Sequence, residues 1–424
     1  MTQDLYSRGQ AVLSPVLGRY FKQFEVASGK GSYLYDIKGK AFLDFAAGIA
    51  VVSTGHCHPK VVNAIKKQAE TLIHGMIGIT YYEPPIKLGE KLVSILGGRL
   101  NSVFFNQSGS EAIETAIKLA KYTSQKQGLL AFQGGFHGRT LGALSITTSK
   151  DKYRQGYEPL LEGISIFPYP NCYRCPWGKE KNSCHNFCSG QLRVFLDKSE
   201  KDLAAAIIEP ILGEGGYVFA PEHFLKTLRA VCTEKDVLLI FDEIQSGIGR
   251  TGKWFAFQHY DIEPDIITLA KGIGSGLPLG ACVAPKSIMS KWLPGAHGGT
   301  YGGNPVTCAA GYATLEVLDD YVDQSATLGA KALGFLNEKL KNHPNVGDIR
   351  GLGLMIGIEF VKDKKTKEAF PEKVNDIREK CLKKRLVVIS CGVLDNVIRI
   401  IPPLTINNKE LSQGLDILIE TINE

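Results

Sequence analysis

From residue 103 onward the chain repeats one pattern: a short apolar run, a polar residue at its end, and then a longer amphipathic stretch. The runs are Val103-Phe104-Phe105, Gly128-Leu129-Leu130-Ala131-Phe132, Ala204-Ala205-Ala206-Ile207-Ile208, Val237-Leu238-Leu239-Ile240-Phe241 and Ile266-Ile267-Thr268-Leu269. Strands this apolar are buried on both faces, which predicts a mainly parallel sheet covered by helices. Ligands in such sheets bind beyond the carboxyl ends of the strands. The residues at those ends are polar: Asn106-Gln107-Ser108, Glu209, Asp242 with Glu243, and Lys271. One polar strand end means little, but four together predict one site.

Ahead of this region, residues 33–45 alternate about Lys38-Gly39 and predict a hairpin, and Pro59 suits a helix start. Beyond it, residues 309–321 read as helix, 348–360 alternate as a strand, 372–384 are amphipathic, 397–401 form another strand, and 410–423 close the chain as a helix. The expected organisation is an α/β large domain over residues 58–315. A small α+β domain is assembled from both ends, 1–57 and 316–424. With 424 residues the chain has enough length for such a division.

Charge and composition narrow the function. The formal net charge of +6 is spread along the chain, which argues against nucleic-acid binding and is compatible with small anionic substrates. No run approaches membrane-spanning length, and residues 1–10 are polar without the apolar core of a signal peptide, so a cytoplasmic location is expected.

Individual constellations carry the chemistry. Ser108 and Glu111 have capping-box spacing, and the free amides of the first turn, with Gly109 allowing close approach, form either a phosphate seat or an ordinary capped helix. In Phe136-His137-Gly138-Arg139, a ring can stack on a planar cofactor and Arg139 can fork onto a carboxylate; a glycine-rich surface loop is the alternative. Asp242, at an apolar strand end, needs a partner, which is either the next helix or a protonated ring nitrogen. Lys271, flanked by Ala270 and Gly272, is suited to imine formation because desolvation frees its amine. Arg399 lies among Val397, Ile398, Ile400 and Ile401, so its charge calls for an internal glutamate, a substrate carboxylate or an edge reaching solvent. Cys172, Cys175, Cys184 and Cys188 sit in a polar insertion over residues 170–190, whose spacing admits metal, disulfides or free thiols; no metal is assigned.

Taken together, these residues resemble the class III, fold-type I aminotransferases that depend on pyridoxal 5′-phosphate, and most closely those acting on 4-aminobutyrate. The resemblance runs from Tyr33 to the C-terminal helix. It rests on Ser108-Gly109-Ser110-Glu111-Ala112, Phe136-His137-Gly138-Arg139-Thr140, Ile208-Glu209-Pro210, Gly213-Glu214-Gly215-Gly216, Asp242-Glu243-Ile244-Gln245, Ala270-Lys271-Gly272 and residues 299–305. It implies a seven-stranded sheet and a catalytic Lys271 that carries the cofactor as a Schiff base and moves the substrate proton. Asp242 would pair with the pyridine nitrogen, Gln245 with the ring hydroxyl, and Phe136 with the ring face. His137 and Glu209 belong to the same cofactor shell, while Gly109 and Ser110 take the phosphate. Thr300 would reach the neighbouring subunit's phosphate, making a homodimer, or a tetramer built from it, with shared sites. For substrates, Arg139 would hold an ω-amino acid's carboxylate while Glu214 neutralises Arg399; 2-oxoglutarate or glutamate would then engage Arg399. Ile49, where ornithine-specific members carry tyrosine, argues against ornithine. The reaction so implied moves the amino group of 4-aminobutyrate to 2-oxoglutarate, with acetylornithine or 5-aminovalerate transfer, or amino-acid racemisation, as the alternatives.

Overall fold

The structure is a computed structural model that describes residues 4–198 and 202–424; Met1 to Gln3 of the polar N-terminal stretch lie outside the described residues. Near the N-terminus, β1 (Val26–Lys30), β2 (Tyr33–Asp36) and β3 (Ala41–Asp44) form an antiparallel meander, with the expected turn at Gly39, φ 75°. The next strands are β4 (Ser102–Asn106), β5 (Gly128–Phe132), β6 (Ile164–Phe167) and β7 (Leu203–Ile208), then the short pair β8 (Ile211–Leu212) and β9 (Val218–Phe219). After them come β10 (Leu238–Asp242), β11 (Ile266–Leu269) and β12 (Gly280–Ala284). The C-terminal part adds β13 (Val346–Leu352), β14 (Met355–Phe360), β15 (Leu386–Val387), β16 (Ile389–Cys391) and β17 (Val397–Ile400).

The large sheet has seven strands in the order β4-β12-β11-β10-β7-β5-β6. Only β12 runs against the others, pairing antiparallel with both β11 and β4. Every residue of β5, β7, β11 and β12 is buried, as continuous apolar runs require when helices cover both faces. Phe241, fully buried in β10, shows the scale involved: truncating such a side chain to alanine costs about 3–5 kcal/mol. Helix Gly109–Ser124 starts directly after β4 and lays Ile113, Ala116, Ile117 and Ala120 onto the sheet, spaced three or four residues apart on one face.

A second sheet, β13-β14-β17-β16, is antiparallel, and β15 joins the N-terminal meander by pairing parallel with β3, Leu386 opposite Leu43. The two ends of the chain therefore meet in one sheet. Two local readings are corrected by the structure. Residues 348–360 are two antiparallel strands rather than one, broken at Gly353, φ 56°, where a Cβ would collide with the Thr251 carbonyl carbon. Also, β6 and β12 are strands that the spacing of apolar runs did not pick out; Gly280-Ala281-Cys282-Val283-Ala284 is too small-residued, and Ile164-Ser165-Ile166 too polar, to stand out.

Candidate active site

The polar strand ends converge as expected. A cavity of about 370 Å³ opens at the carboxyl edge of the large sheet, lined by Ser108, Gly109, Ser110, Phe136, His137, Glu209, Asp242, Gln245 and Lys271, with Val51 and Leu277 on its apolar side. Glu243 is the exception. It turns away and accepts from the Ala256 and Phe257 amides (2.8 and 2.7 Å) and the Ser246 hydroxyl (3.0 Å). Burial holds its carboxyl up at about 7.

Lys271 comes after β11 in the left-handed region, φ 47°, an unusual conformation for a residue with a Cβ and one that tertiary packing must impose. Burial drives its amine below the ordinary lysine range, outweighing the nearby Asp242 and Glu209 carboxylates that favour the charged form. A neutral, accessible amine is the nucleophilic form of lysine.

Asp242 closes β10 with both oxygens engaged. Oδ2 lies 2.7 Å from His137 Nδ1, and Oδ1 accepts from the Ile244 amide at 3.1 Å. Burial alone would discharge His137, but the hydrogen bond and charge of Asp242 outweigh it and raise the imidazole's pKa. Glu209 accepts from the Phe136 amide (3.1 Å) and the Gly213 amide (3.2 Å), tying the Phe136 loop to the strand. Burial lifts the Glu209 carboxyl to about 7, despite the opposing His137.

At the phosphate-seat motif, Ser108 Oγ caps the helix by accepting from the Glu111 amide at 3.2 Å. The reciprocal bond of a capping box is displaced by one residue, since Glu111 accepts from the Gln107 amide at 2.8 Å. Gly138, φ 135°, packs against this turn so closely that a Cβ would collide with Ser110 Oγ. The first-turn amides of Gly109 and Ser110 thus face the cavity at the positive end of a sixteen-residue helix.

Arg399 is wholly buried in β17, with Nη1 3.1 Å from Glu214 Oε2 and Nη2 donating to Tyr20 Oη at 2.8 Å. Of the three partners its sequence environment admits, the internal glutamate is the one present. Neither member of the pair is among the residues that line the cavity, although the charges of both reach the Lys271 amine. Arg139 lies over the Tyr153 ring at 4.4 Å, and among the described residues no carboxylate pairs with it. Tyr153 Oη is 3.5 Å from Glu214 Oε1, so Tyr20, Arg399, Glu214, Tyr153 and Arg139 form one chain of contacts. Sequence reasoning missed Tyr20 and Tyr153; neither sits in a motif or on a periodic face, so no local signal marks them.

Ile49 is half-buried on the 47–50 turn, φ 66°, and packs on the apolar cluster around Tyr217 and Ile401, while Val51 lines the cavity. Thr300 is exposed on the loop before helix Pro305–Leu318, outside the cavity lining. The four insertion cysteines are free thiols, and among the described residues no group of three or more His, Cys, Asp or Glu side chains is arranged to hold a metal. Burial raises Cys188 to about 11, so this thiol is protonated near neutrality. No helix among the described residues is long and apolar enough to cross a membrane.

The cavity fits pyridoxal phosphate. Gln245 Oε1 is buried without a partner, the amide-rich helix start suits a phosphate, and Asp242 and Lys271 face the same space as a carboxylate and a free amine.

Comparison with known proteins agrees with that chemistry. The family model for class III aminotransferases matches residues 18–422. An alanine/serine racemase of Pyrococcus horikoshii is 37% identical over 100% of this chain and 90% of its own length. An acetylornithine aminotransferase of Methanocaldococcus jannaschii is 41% identical over 94% and 93%. The 4-aminobutyrate aminotransferase of Escherichia coli is 37% identical over 92% and 91%.

Proposed function

This chain belongs to the class III aminotransferases, which use pyridoxal phosphate, and we propose that it moves the amino group of an ω-amino acid, 4-aminobutyrate foremost, to 2-oxoglutarate. The observation that carries this reading is the pair of arginines in different states. Arg399 is buried and cancelled by Glu214, whereas Arg139 has no carboxylate partner among the described residues. A donor whose only carboxylate is remote from its amine suits Arg139 and leaves the Arg399–Glu214 pair intact. Glutamate and 2-oxoglutarate carry a second carboxylate, for which Arg399 would leave Glu214. Breaking a buried ion pair is costly unless a new anion replaces the old one, so only a substrate with that second carboxylate opens it.

Bound pyridoxal phosphate would supply an electron sink that acidifies the carbon bearing the substrate's amine. Lys271 would hold the cofactor through Nζ and then carry the proton at that atom, a task suited to an amine kept neutral by burial. Asp242, fixed by His137 and the Ile244 amide, would keep the ring nitrogen protonated; Gln245 would take the ring hydroxyl; Phe136 would cover one face; Gly109 and Ser110 would bind the phosphate. The proposed homodimer, with Thr300 completing the partner's phosphate site, is supported by the exposed Ile73, Ile77 and Tyr301 at the 300–304 loop, where Asn304 Nδ2 donates to the Ile73 carbonyl and Ile77 packs at Gly303.

The deciding experiment measures initial rates with 2-oxoglutarate and, separately, 4-aminobutyrate, 5-aminovalerate and acetylornithine, together with racemisation of single enantiomers of alanine and leucine. The reading predicts kcat/KM highest for 4-aminobutyrate and no racemisation. Efficient acetylornithine turnover with negligible 4-aminobutyrate turnover would overturn it.

A further inference from the structure

The turn that carries Glu214 meets a network of partly buried charges that do not line the Lys271 cavity. Gly216 and Tyr217 come just after Glu214 with φ of 116° and 55°. Tyr217 is a fully buried non-glycine residue in the left-handed region, a conformation that persists only where the surroundings impose it. Arg350 imposes it. Its Nε donates to the carbonyls of Gly216 (3.1 Å) and Tyr217 (3.0 Å), and its Nη2 donates to Gly216 again at 2.5 Å. From the other side the Gly392 amide donates to the Glu214 carbonyl at 2.9 Å. There is no slack, since a Cβ on Gly216 would stand 3.2 Å from Gly392 Cα.

Arg350 is itself anchored. Nη1 pairs with Asp348 (2.7 Å) and with Glu359 Oε2 (2.8 Å), and the other oxygen of Glu359 takes Arg174 Nε. Arg174 sits between Cys172 and Cys175 in the insertion, and its Nη1 donates to the Lys367 carbonyl at 2.7 Å. Burial favours a protonated Glu359, but the two guanidiniums outweigh it and hold the carboxyl below its usual range. In β14 the register sets Gly357 against Arg399 and Glu359 against Val397 of β17. One charge network therefore touches the insertion, the strand beside Arg399, and the Glu214 turn.

We propose that Arg350, backed by Glu359 and the insertion's Arg174, is a positioning residue that fixes the 213–217 turn where Glu214 meets Arg399, and so sets the balance between the two substrates. The proposal rests on the roles given to Glu214 and Arg399 in the proposed function. A donor lacking a second carboxylate needs Arg399 neutralised by Glu214, whereas glutamate engages Arg399 directly. Loosening the turn should therefore harm the first half-reaction and spare the second.

The test compares wild-type holoenzyme with Arg350→Ala, Arg350→Lys and Arg174→Ala by two readouts. The first is amide hydrogen exchange over residues 213–217 and at Gly392; the second is kcat/KM for the 4-aminobutyrate and glutamate half-reactions measured separately. Arg350→Ala is expected to speed exchange in these segments about tenfold and to lower kcat/KM for 4-aminobutyrate about tenfold, with glutamate changed less than about twofold. Arg350→Lys keeps the ion pairs but loses the forked hold on two carbonyls, so it should recover only part of both effects. Unchanged exchange in a folded variant, or equal losses in the two half-reactions, overturns the proposal. Should Arg350→Ala not fold, the same outcomes are read on the other two variants. If wild type turns over neither 4-aminobutyrate nor 5-aminovalerate, the donor assignment fails, and the exchange data alone decide whether Arg350 holds the turn.

Discussion

Asp242, Glu209 and Lys271 each stand at or just past the end of a strand of the large sheet, whereas Arg399 lies inside a strand of the second sheet and meets partners from residues 20 and 214. The first group is positioned by neighbouring parallel strands in register, so its geometry is inherited from the sheet. The second depends on contacts between segments up to 379 residues apart, on a turn with strained dihedrals, and on one ion pair, which the proposed function has exchanging for a substrate carboxylate. On the roles proposed above, reaction type would rest on the sheet-borne group and substrate choice on the contacts around Arg399. Relatives of similar identity that carry different substrate names fit that division.

The comparison can be broken most sharply at Lys271. Lys271→Ala should lower turnover with every donor by at least about 10³-fold, since the proton transfer and cofactor attachment proposed for this amine would both be lost. Rates with 4-aminobutyrate and with glutamate check this, and any donor that escapes the loss contradicts a common chemical centre. Glu214→Gln acts on the other part. Without the carboxylate Arg399 stays uncompensated, so kcat/KM for 4-aminobutyrate should fall by about 10–100-fold while that for glutamate holds or rises. Equal falls would mean that the two parts are not separable.

The smallest effect concerns the scaffold behind Asp242. Burial raises Glu243's folded-state pKa to about 7, above the unfolded carboxylate value near 4.5. A raised pKa means that the folded state binds the proton more tightly, so this stabilisation is complete below the unfolded value and is lost as pH rises through 7. Glu243→Gln should therefore flatten the fall of Tm between pH 5 and pH 8, by a few degrees at most, with the 4-aminobutyrate to glutamate preference unchanged. A pH profile of Tm identical to wild type would show that Glu243 is charged throughout.

Legibility from sequence shows the same division. The five apolar runs, the polar residues behind them and the capped helix at Gly109 were readable because local periodicity and a single topological rule place them. Arg399's need for an anion was readable from its apolar neighbours, but Glu214 as the partner came only through resemblance, since nothing local links positions 185 residues apart. Tyr20 and Arg350 were not readable at all. Their roles arise from a hydroxyl and a guanidinium meeting distant groups, and neither leaves a period or a spacing in the chain. The break at Gly353 was missed for a similar reason, because the backbone it must clear belongs to residues 250–252.

Lys271's left-handed backbone carries an evolutionary consequence. Residues with a Cβ in that region are disfavoured by roughly 1–2 kcal/mol, and asparagine or glycine would sit there with less strain. Selection for a firmer fold and selection for reaction therefore pull in opposite directions at this one position. On the catalytic role proposed for Lys271, exchanging it for glycine or asparagine should relieve backbone strain and raise thermal resistance while abolishing turnover.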